Sequence, residues 1–550
     1  MSPLQRCSLG CVTLVLILGG ALLPGAKPAN SPLKAPELKA RLQARETARP
    51  NRVQALHVEV ATVSAAEPIA IGSRRELFVD NHLVSHLAGR AELRLHRPTE
   101  CPDVFVCNKP WEGNMSGYPV LFQDGDIYRM YYRAGDWRSL GDPTHENFTC
   151  YAESRDGVHW TRPELGLIDF RGSKKNNIML TGDVSLTFVP FKDTNPDCKP
   201  TERYKAVAVL DKPTRGLHAF ASEDGIRWQP MSSKPLITKG KFDSQNLAFW
   251  DPVRRRYTAY FREMRGPNDE FGTKGPQLGL DPQGPARDVL TSTSTDFLRW
   301  TEPRWLQYPE SPRMQIYVNQ IRPYYRAPHL FVGFPCRFMA GREIEKDLPI
   351  TKHPSYKFGS ITETLFMTSR DGVTFHRWGE AFVRPGPRRD RWIYAGTMPG
   401  YGLLVTRPST SGMPDELSLY VKDGGGWPSG GNASRFRRYA LRVDGFVSVQ
   451  APLSGGEVVT KPITFTGHQL TINLSTSAAG SVRVEIQDVR GQPVKGFGLD
   501  DCPEIFGDSL DRVIHWRQGP DVSQLAGRPV RLRFVVKDAD LYSFQFPDRR

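Results

Sequence analysis

Three acidic residues stand beside aromatic or cationic side chains at the edges of β-type segments. They are Glu112 in Trp111-Glu112-Gly113-Asn114, Asp243 in Phe242-Asp243-Ser244-Gln245-Asn246, and Glu263 directly after Tyr260-Phe261-Arg262. Two carboxyl groups on opposite sides of a glycosidic bond can cleave it, one protonating the leaving oxygen and the other acting as nucleophile or base. Their separation is ~5 Å for retention and ~6.5 to 9.5 Å for inversion. On this reading Glu112 is the nucleophile or base and Glu263 the general acid, with Arg262 placed to tune its ionisation. Asp243 holds the sugar or adjusts a pKa. Trp111, Asn114, Arg133, Arg262, Tyr317, Asn319 and Gln320 are the aromatic platforms and planar hydrogen-bonding groups expected to bind the substrate. Arg133 and Arg262 each close a β segment after two aromatic residues. The plain alternative for each carboxylate is a turn or surface residue, and for each binding residue, core packing. Asp80 and Asp251 read as turn residues. No CxxC pair or histidine cluster suggests zinc, and no cofactor is expected. A structural calcium ion stays open, since oxygen ligands leave no spacing signature outside dedicated loops.

The elements that would position these residues are read from a repeat. Ser-x-Asp-(Gly)-x-x-aromatic occurs four times, at Ser154/Asp156/Gly157/Trp160, Ser222/Asp224/Gly225/Trp228, Ser294/Asp296/Trp300 and Ser369/Asp371/Gly372/Phe375. The serines are 68, 72 and 75 residues apart, a period that marks repeated supersecondary units. Such a turn folds on itself through side-chain to backbone hydrogen bonds, and each copy is preceded by three short β-type runs. A fifth, irregular set at Trp392–Ala395, Gly402–Thr406 and Leu417–Val421 lacks the motif; Glu76–Val79 or Ala91–His96 is expected to supply its missing strand. The implied fold is all-β: a five-bladed β-propeller over 71–435, followed by a β-sandwich over 436–550. Residues 1–26 read as a signal peptide, with Arg6 ahead of an apolar stretch from Val12 to Leu23, and 27–70 as a linker.

Composition fits a globular, turn-rich chain: 39% hydrophobic and 24% charged residues, with 45 prolines and 49 glycines. The apolar N-terminal stretch is shorter than the ~20 residues a membrane span needs. A secreted or periplasmic protein is expected, with no membrane association beyond the signal peptide. Outside the signal, six cysteines are too few for a disulfide scaffold in so long a chain, although Cys101 and Cys107 are near enough in sequence to pair. The net charge of +14 permits attraction to an acidic polymer. The basic residues are scattered and no helix-turn-helix or finger accompanies them, so nucleic acid is not an expected partner; a carbohydrate, possibly acidic, is.

The five-unit organisation, the Ser-x-Asp-Gly-x-x-Trp hairpins and the trailing sandwich resemble glycoside hydrolase family 32 and its five-bladed relatives in families 43, 62 and 68. The stretches Trp111-Glu112-Gly113-Asn114, Cys150 to Gly157 and Asp538 to Phe544 are similar to those of uncharacterised secreted bacterial proteins assigned to that clan. The resemblance implies a glycosidase with its site on the propeller axis. Family 32 carries Trp-Met-Asn-Asp-Pro-Asn-Gly in the first blade, Arg-Asp-Pro in the second and Glu-Cys in the third, and none of these stands in the corresponding unit here. A non-catalytic propeller lectin is therefore the alternative. A sialidase is disfavoured, because its Asp boxes separate Asp from Gly by one residue and here the two are adjacent.

Overall fold

The computed structural model describes residues 67–548, apart from 140–141, 213, 267–276, 279–284, 341, 343–359, 409, 411 and 425–432. The signal-peptide segment and nearly all of the expected linker lie outside the described residues.

Five four-stranded antiparallel sheets follow one another along the chain. From the innermost strand outward, blade 1 is Gly117–Asp124, Ile127–Ala134, Phe148–Ser154 and Ile178–Thr181. Blade 2 is Val189–Lys192, Tyr204–Leu210, Gly216–Ser222 and Gln229–Pro230. Blade 3 is Leu247–Asp251, Arg256–Arg265, Ala286–Ser294 and Arg304–Trp305, and blade 4 is Arg322–Tyr324, Ala327–Gly333, Met367–Ser369 and Phe375–Arg377. Blade 5 is Leu404–Thr406, Glu416–Lys422, Arg435–Arg442 and Thr99–Val106. The inner strands of blades 1 and 2, 2 and 3, and 5 and 1 touch.

Blade 5 corrects two sequence expectations. Its outer strand comes from Thr99–Val106, paired with Arg435–Arg442, and not from Glu76–Val79 or Ala91–His96. The ring is thus closed by a strand that precedes blade 1 in sequence and completes blade 5 from outside. Its third strand runs past residue 436, so the propeller ends near Arg442, and Trp392–Ala395 forms no strand. The earlier segments Ile69–Gly72, Glu76–Leu77, Val84–Gly89 and Glu92–Leu95 pair instead with C-terminal strands. The sandwich is therefore built from both ends of the chain, around the long pair Thr471–Gln487 and Arg531–Gln545. Phe78, Phe465, Ile472, Val484, Phe534 and Phe544 form its core.

The sandwich is welded to blades 4 and 5. Leu77 and Val79 share a core with Tyr324, Phe334, Leu417 and Phe446. Beside it the fully buried Asp444 accepts from Tyr324 Oη at 2.6 Å and Ser543 Oγ at 2.7 Å, and pairs with Arg326 at 3.1 Å. Cys101 and Cys107 are both unpaired. Cys101 lies on the extended outer strand of blade 5 and Cys107 just beyond it, so six residues of near-extended chain hold them ~20 Å apart. Asn473, which begins the glycosylation-type triplet Asn473-Leu474-Ser475, is buried and bonded to Val443 O and Arg442, and is no surface attachment point.

Each Ser-x-Asp turn closes as its residue types require. Ser154 Oγ accepts from Gly157 N at 2.9 Å, and Asp156 Oδ1 accepts from Val158 N and His159 N at 2.8 Å. The same bonds recur at Asp224, Asp296 and Asp371. The fourth residue of the turn has φ of +74° at Gly157, +77° at Gly225 and +80° at Gly372, a region that favours glycine. These turns also latch the blades together. Tyr131 of blade 1 donates to Gly225 O of blade 2 at 3.0 Å, Tyr260 of blade 3 to Gly372 O of blade 4 at 2.8 Å, and Tyr420 of blade 5 to Gly157 O of blade 1 at 2.8 Å. Between blades 2 and 3 the latch is replaced. The register that puts Tyr131 and Tyr260 three residues past the partner of the turn serine puts Val207 there in blade 2. Opposite it the turn glycine becomes Phe297, at φ +67°, which packs against Phe191 with ring centroids 5.6 Å apart.

Candidate functional site on the propeller axis

The turns occupy the end of the propeller where inner strands finish. At the other end inner strands begin and second strands finish, and there the regularity stops. Gln245, ahead of the blade 3 inner strand, donates to Tyr118 O of blade 1 at 2.9 Å. Gln320, ahead of the blade 4 inner strand, donates to Gln245 Oε1 at 2.6 Å and to Pro399 O, ahead of blade 5, at 2.7 Å. Two glutamines thus tie four blades together across the axis. Tyr118 and Gln320 have φ of +53° and +48°, strained for residues with a Cβ and of the kind that collects at functional sites.

Around this crossing sit three tyrosines and four cations. Tyr394 Oη donates to Tyr317 Oη at 2.5 Å, and Tyr118 also hydrogen-bonds Tyr317. The Arg262 guanidinium lies 5.0 Å and that of Arg287 5.7 Å from the Tyr317 ring centre, while Arg133 lies 4.8 Å from that of Tyr118, distances suited to cation–π attraction. Burial alone would push the Tyr317 phenol up. The Arg262 charge, the hydrogen bonds from Tyr394 and Tyr118, and the Arg287 charge outweigh it and hold Tyr317 below the usual tyrosine range. Burial drives Tyr118 and Tyr394 upward. Tyr317 is therefore the member of the trio that loses its proton first.

Of the three proposed carboxylates, only Asp243 reaches this cluster. It pairs with Arg262 and its side chain is 56% exposed. Glu112 does not. Its side chain is 0% exposed; it pairs with Arg162 at 2.8 Å, accepts from Tyr132 Oη, and takes the Lys109 N–H at 3.0 Å. It is a buried brace of blade 1, with no face toward a substrate. Glu263 fails for a different reason. Side chains alternate along a strand, so Glu263 points to the opposite face from Arg262; it stands across from Asp288 in the register and accepts its neighbour's N–H.

The binding expectations divide likewise. Arg133, Arg262, Tyr317 and Gln320 lie at the axial end. Trp111 donates to Asn177 at 2.7 Å and packs on Phe170, at the outer side of blade 1. Asn114 is buried, clamping Trp137 through its carbonyl and amide. Asn319 is buried, its Oδ1 turned to Ile321 N. Asp251 is the turn residue expected, capping Val253 N and Arg254 N.

Tyr118, Tyr394, Arg287 and Lys422 were not singled out by the sequence reading. For Lys422 a signal existed. Tyr131-Tyr132-Arg133, Tyr260-Phe261-Arg262 and Tyr420-Val421-Lys422 are one pattern, Tyr-x-cation, on the second strands of blades 1, 3 and 5. Two residues apart, both side chains share a face: the tyrosine latches the next blade's turn, and the cation stands at the axial end.

A depression of about 910 Å³ lies at the turn end between blades 2 and 3. Two of its cations already have partners: Lys205 bonds Asp193 at 2.6 Å and Arg227 bonds Asp224 at 2.9 Å. A second cavity of about 480 Å³, lined by Phe122, Phe191, Trp250, Arg322 and Tyr324, occupies the same end of the axis. Neither holds the charged tyrosine cluster.

No family model matches the chain. An uncharacterised protein of Mycobacterium tuberculosis strain H37Rv, and its counterpart in strain CDC 1551 / Oshkosh, are 31% identical over 170 residues, covering 29% of this chain and 48% of theirs. The chain spans about half the length of these curated relatives. Among solved structures the chain is similar to a glycoside hydrolase at 12% identity and TM-score 0.39, covering 62% of this chain and 92% of that one. A GH32 β-fructofuranosidase of Bombyx mori is matched at 8% identity and TM-score 0.36, over 83% and 94%. An N-acetylgalactosamine deacetylase from F. plautii is matched at 14% identity and TM-score 0.34, over 68% and 95%. At these scores the likeness carries over no residue role. The class is defined by the strand order itself: a five-bladed propeller closed by an N-terminal strand, with a tyrosine and cation cluster on its axis.

Proposed function

We propose that the protein is an exported, carbohydrate-acting enzyme of glycosidase type, whose substrate meets the propeller at the axial end where the inner strands begin. The observation that carries this reading is the convergence there of Tyr118, Tyr317 and Tyr394 with exposed Asp243 and its partner Arg262. Aromatic rings and planar charged groups are what a sugar needs for stacking and directional hydrogen bonds. Asp243 is the carboxylate of the reaction and Tyr317 the second group able to ionise in reach of it. The substrate class taken is an acidic glycan, in keeping with the net charge of +14.

The test is release of reducing ends from a panel of polysaccharides, by the wild type and by Asp243→Asn. Loss of release in the variant supports the reading; equal release by both removes Asp243 from it. One observation favours a second reading, a lectin without turnover: neither Glu112 nor Glu263 supplies a second carboxylate beside Asp243. Saturable retention on a polysaccharide with no release of reducing ends would select that reading.

A further inference from the structure

Lys422 closes the second strand of blade 5 on the face that carries Tyr420, which is turned toward blade 1. It is 8% exposed. Among the described residues its ammonium has neither a hydrogen-bond acceptor nor a carboxylate partner. Its strand neighbour Asp423, on the opposite face, is taken by Arg388, Arg391 and Arg437. Burial first, and then the charge of Arg133, lower the Lys422 pKa to about 8; the Cys107 thiol is the other titratable group near it. A buried cation without a counter-charge is costly, and it sits next to a second cation that also lacks a carboxylate. Among the described residues Arg133 donates only to the Met115 carbonyl, at 2.9 and 3.2 Å. Across the axis, Arg287 bonds the neutral Gln315 at 2.7 Å, with its Nε buried and unpartnered. Arg262 is the one cation of the four that has a carboxylate, Asp243. Among the described residues, Lys422 of blade 5 and Arg133 of blade 1 thus stand side by side without a counter-charge.

We infer that Lys422 and Arg133 form an anion subsite of the axial site, which takes the negatively charged substituent of a saccharide, a carboxylate or a sulfate ester. This deepens the carbohydrate reading above and rests on it. The ligand supplies the counter-charge that the fold omits. Arg133 offers a planar fork suited to an oxyanion, and the ring of Tyr118, already under that guanidinium, borders the sugar.

The test is retention of the full chain on immobilised polygalacturonate and alginate (carboxylate arm), dextran sulfate (sulfate arm), and dextran and a neutral galactan as uncharged controls. Retention by at least one charged arm, about tenfold or more above the neutral controls at moderate salt, is expected, and the arm that retains identifies the anion. Lys422→Met and, on blade 1, Arg133→Gln each reduce that retention about tenfold, while Lys422→Arg keeps it. Equal retention on charged and neutral polymers, retention on none, or undiminished retention by both charge-removing variants overturns the subsite. Lys205→Met, at the turn end, controls for a general loss of positive charge and leaves retention unchanged. Charged-polymer retention without release of reducing ends contradicts enzymatic action while leaving the subsite intact. Release from a neutral polymer alone does the reverse.

Discussion

The two ends of the propeller axis are built by opposite rules. At the turn end the same aspartate hydrogen bonds recur in four blades, tyrosines lock three blade junctions, and Lys205 and Arg227 are paired. At the axial end the blades differ: glutamines stand ahead of blades 3 and 4, Tyr118 is in the inner strand of blade 1, Tyr317 and Tyr394 precede blades 4 and 5, and the cations come from blades 1, 3 and 5. Repetition marks the part of the fold concerned with stability. Irregularity and uncompensated charge mark the part that we propose receives a ligand. The Tyr-x-cation pattern joins the two, since one strand serves the latch with one residue and the site with the next but one.

The sharpest way to break the turn end is to fill a turn glycine. A Cβ at Gly372 meets Phe331 Cε2 and Tyr260 Oη at 3.0 Å, and φ is +80°. Gly372→Val is expected to cost about 3–5 kcal/mol from backbone strain plus overpacking, seen as a large fall in thermal midpoint or loss of soluble protein. Glu112→Gln removes one partner of a buried ion pair and costs about 3 kcal/mol. The folded fraction keeps its turnover, whereas Asp243→Asn leaves the thermal midpoint near that of the wild type.

Lys422→Met has the opposite sign. The folded pKa of about 8 lies below the ordinary lysine value of 10.5, so between these values the unfolded chain holds more protons and stability rises with pH. Below pH 8 the full penalty applies, on the order of 3 kcal/mol from the size of the shift. The variant is therefore more stable than wild type at neutral pH, and the difference closes as pH rises toward 10.5. A thermal-melt series against pH reads this directly; a constant difference contradicts it. The smallest effect is at a latch: Tyr131→Phe loses one neutral hydrogen bond to Gly225 O and lowers stability by about 1 kcal/mol.

Blade number, the turn bonds and most blade strands were legible because a period near 70 residues and Ser/Asp/Gly chemistry are local signals. The closing strand was not. Thr99–Val106 pairs with Arg435–Arg442 across more than 300 residues of chain, and nothing local distinguishes it from Glu76–Leu77, which pairs with the sandwich. The site was half legible for the same reason. Arg133 and Arg262 stood out by their position after paired aromatics. Glu112 shared the promising context of a tryptophan and a glycine, but its exposure is decided by Arg162, 50 residues away, and Tyr132, 20 away. Glu263 was lost to strand parity, since one residue of shift along a strand exchanges its faces.

The most direct test of the axial reading is release of reducing ends from an acidic polysaccharide, compared between wild type, Asp243→Asn and Glu112→Gln at equal folded concentration. The predicted result is release by wild type and Glu112→Gln, with a fall of about 100-fold or more in Asp243→Asn, the scale of losing a group that acts on the transition state. Undiminished release in Asp243→Asn, or no release from any polysaccharide by the wild type, would contradict it.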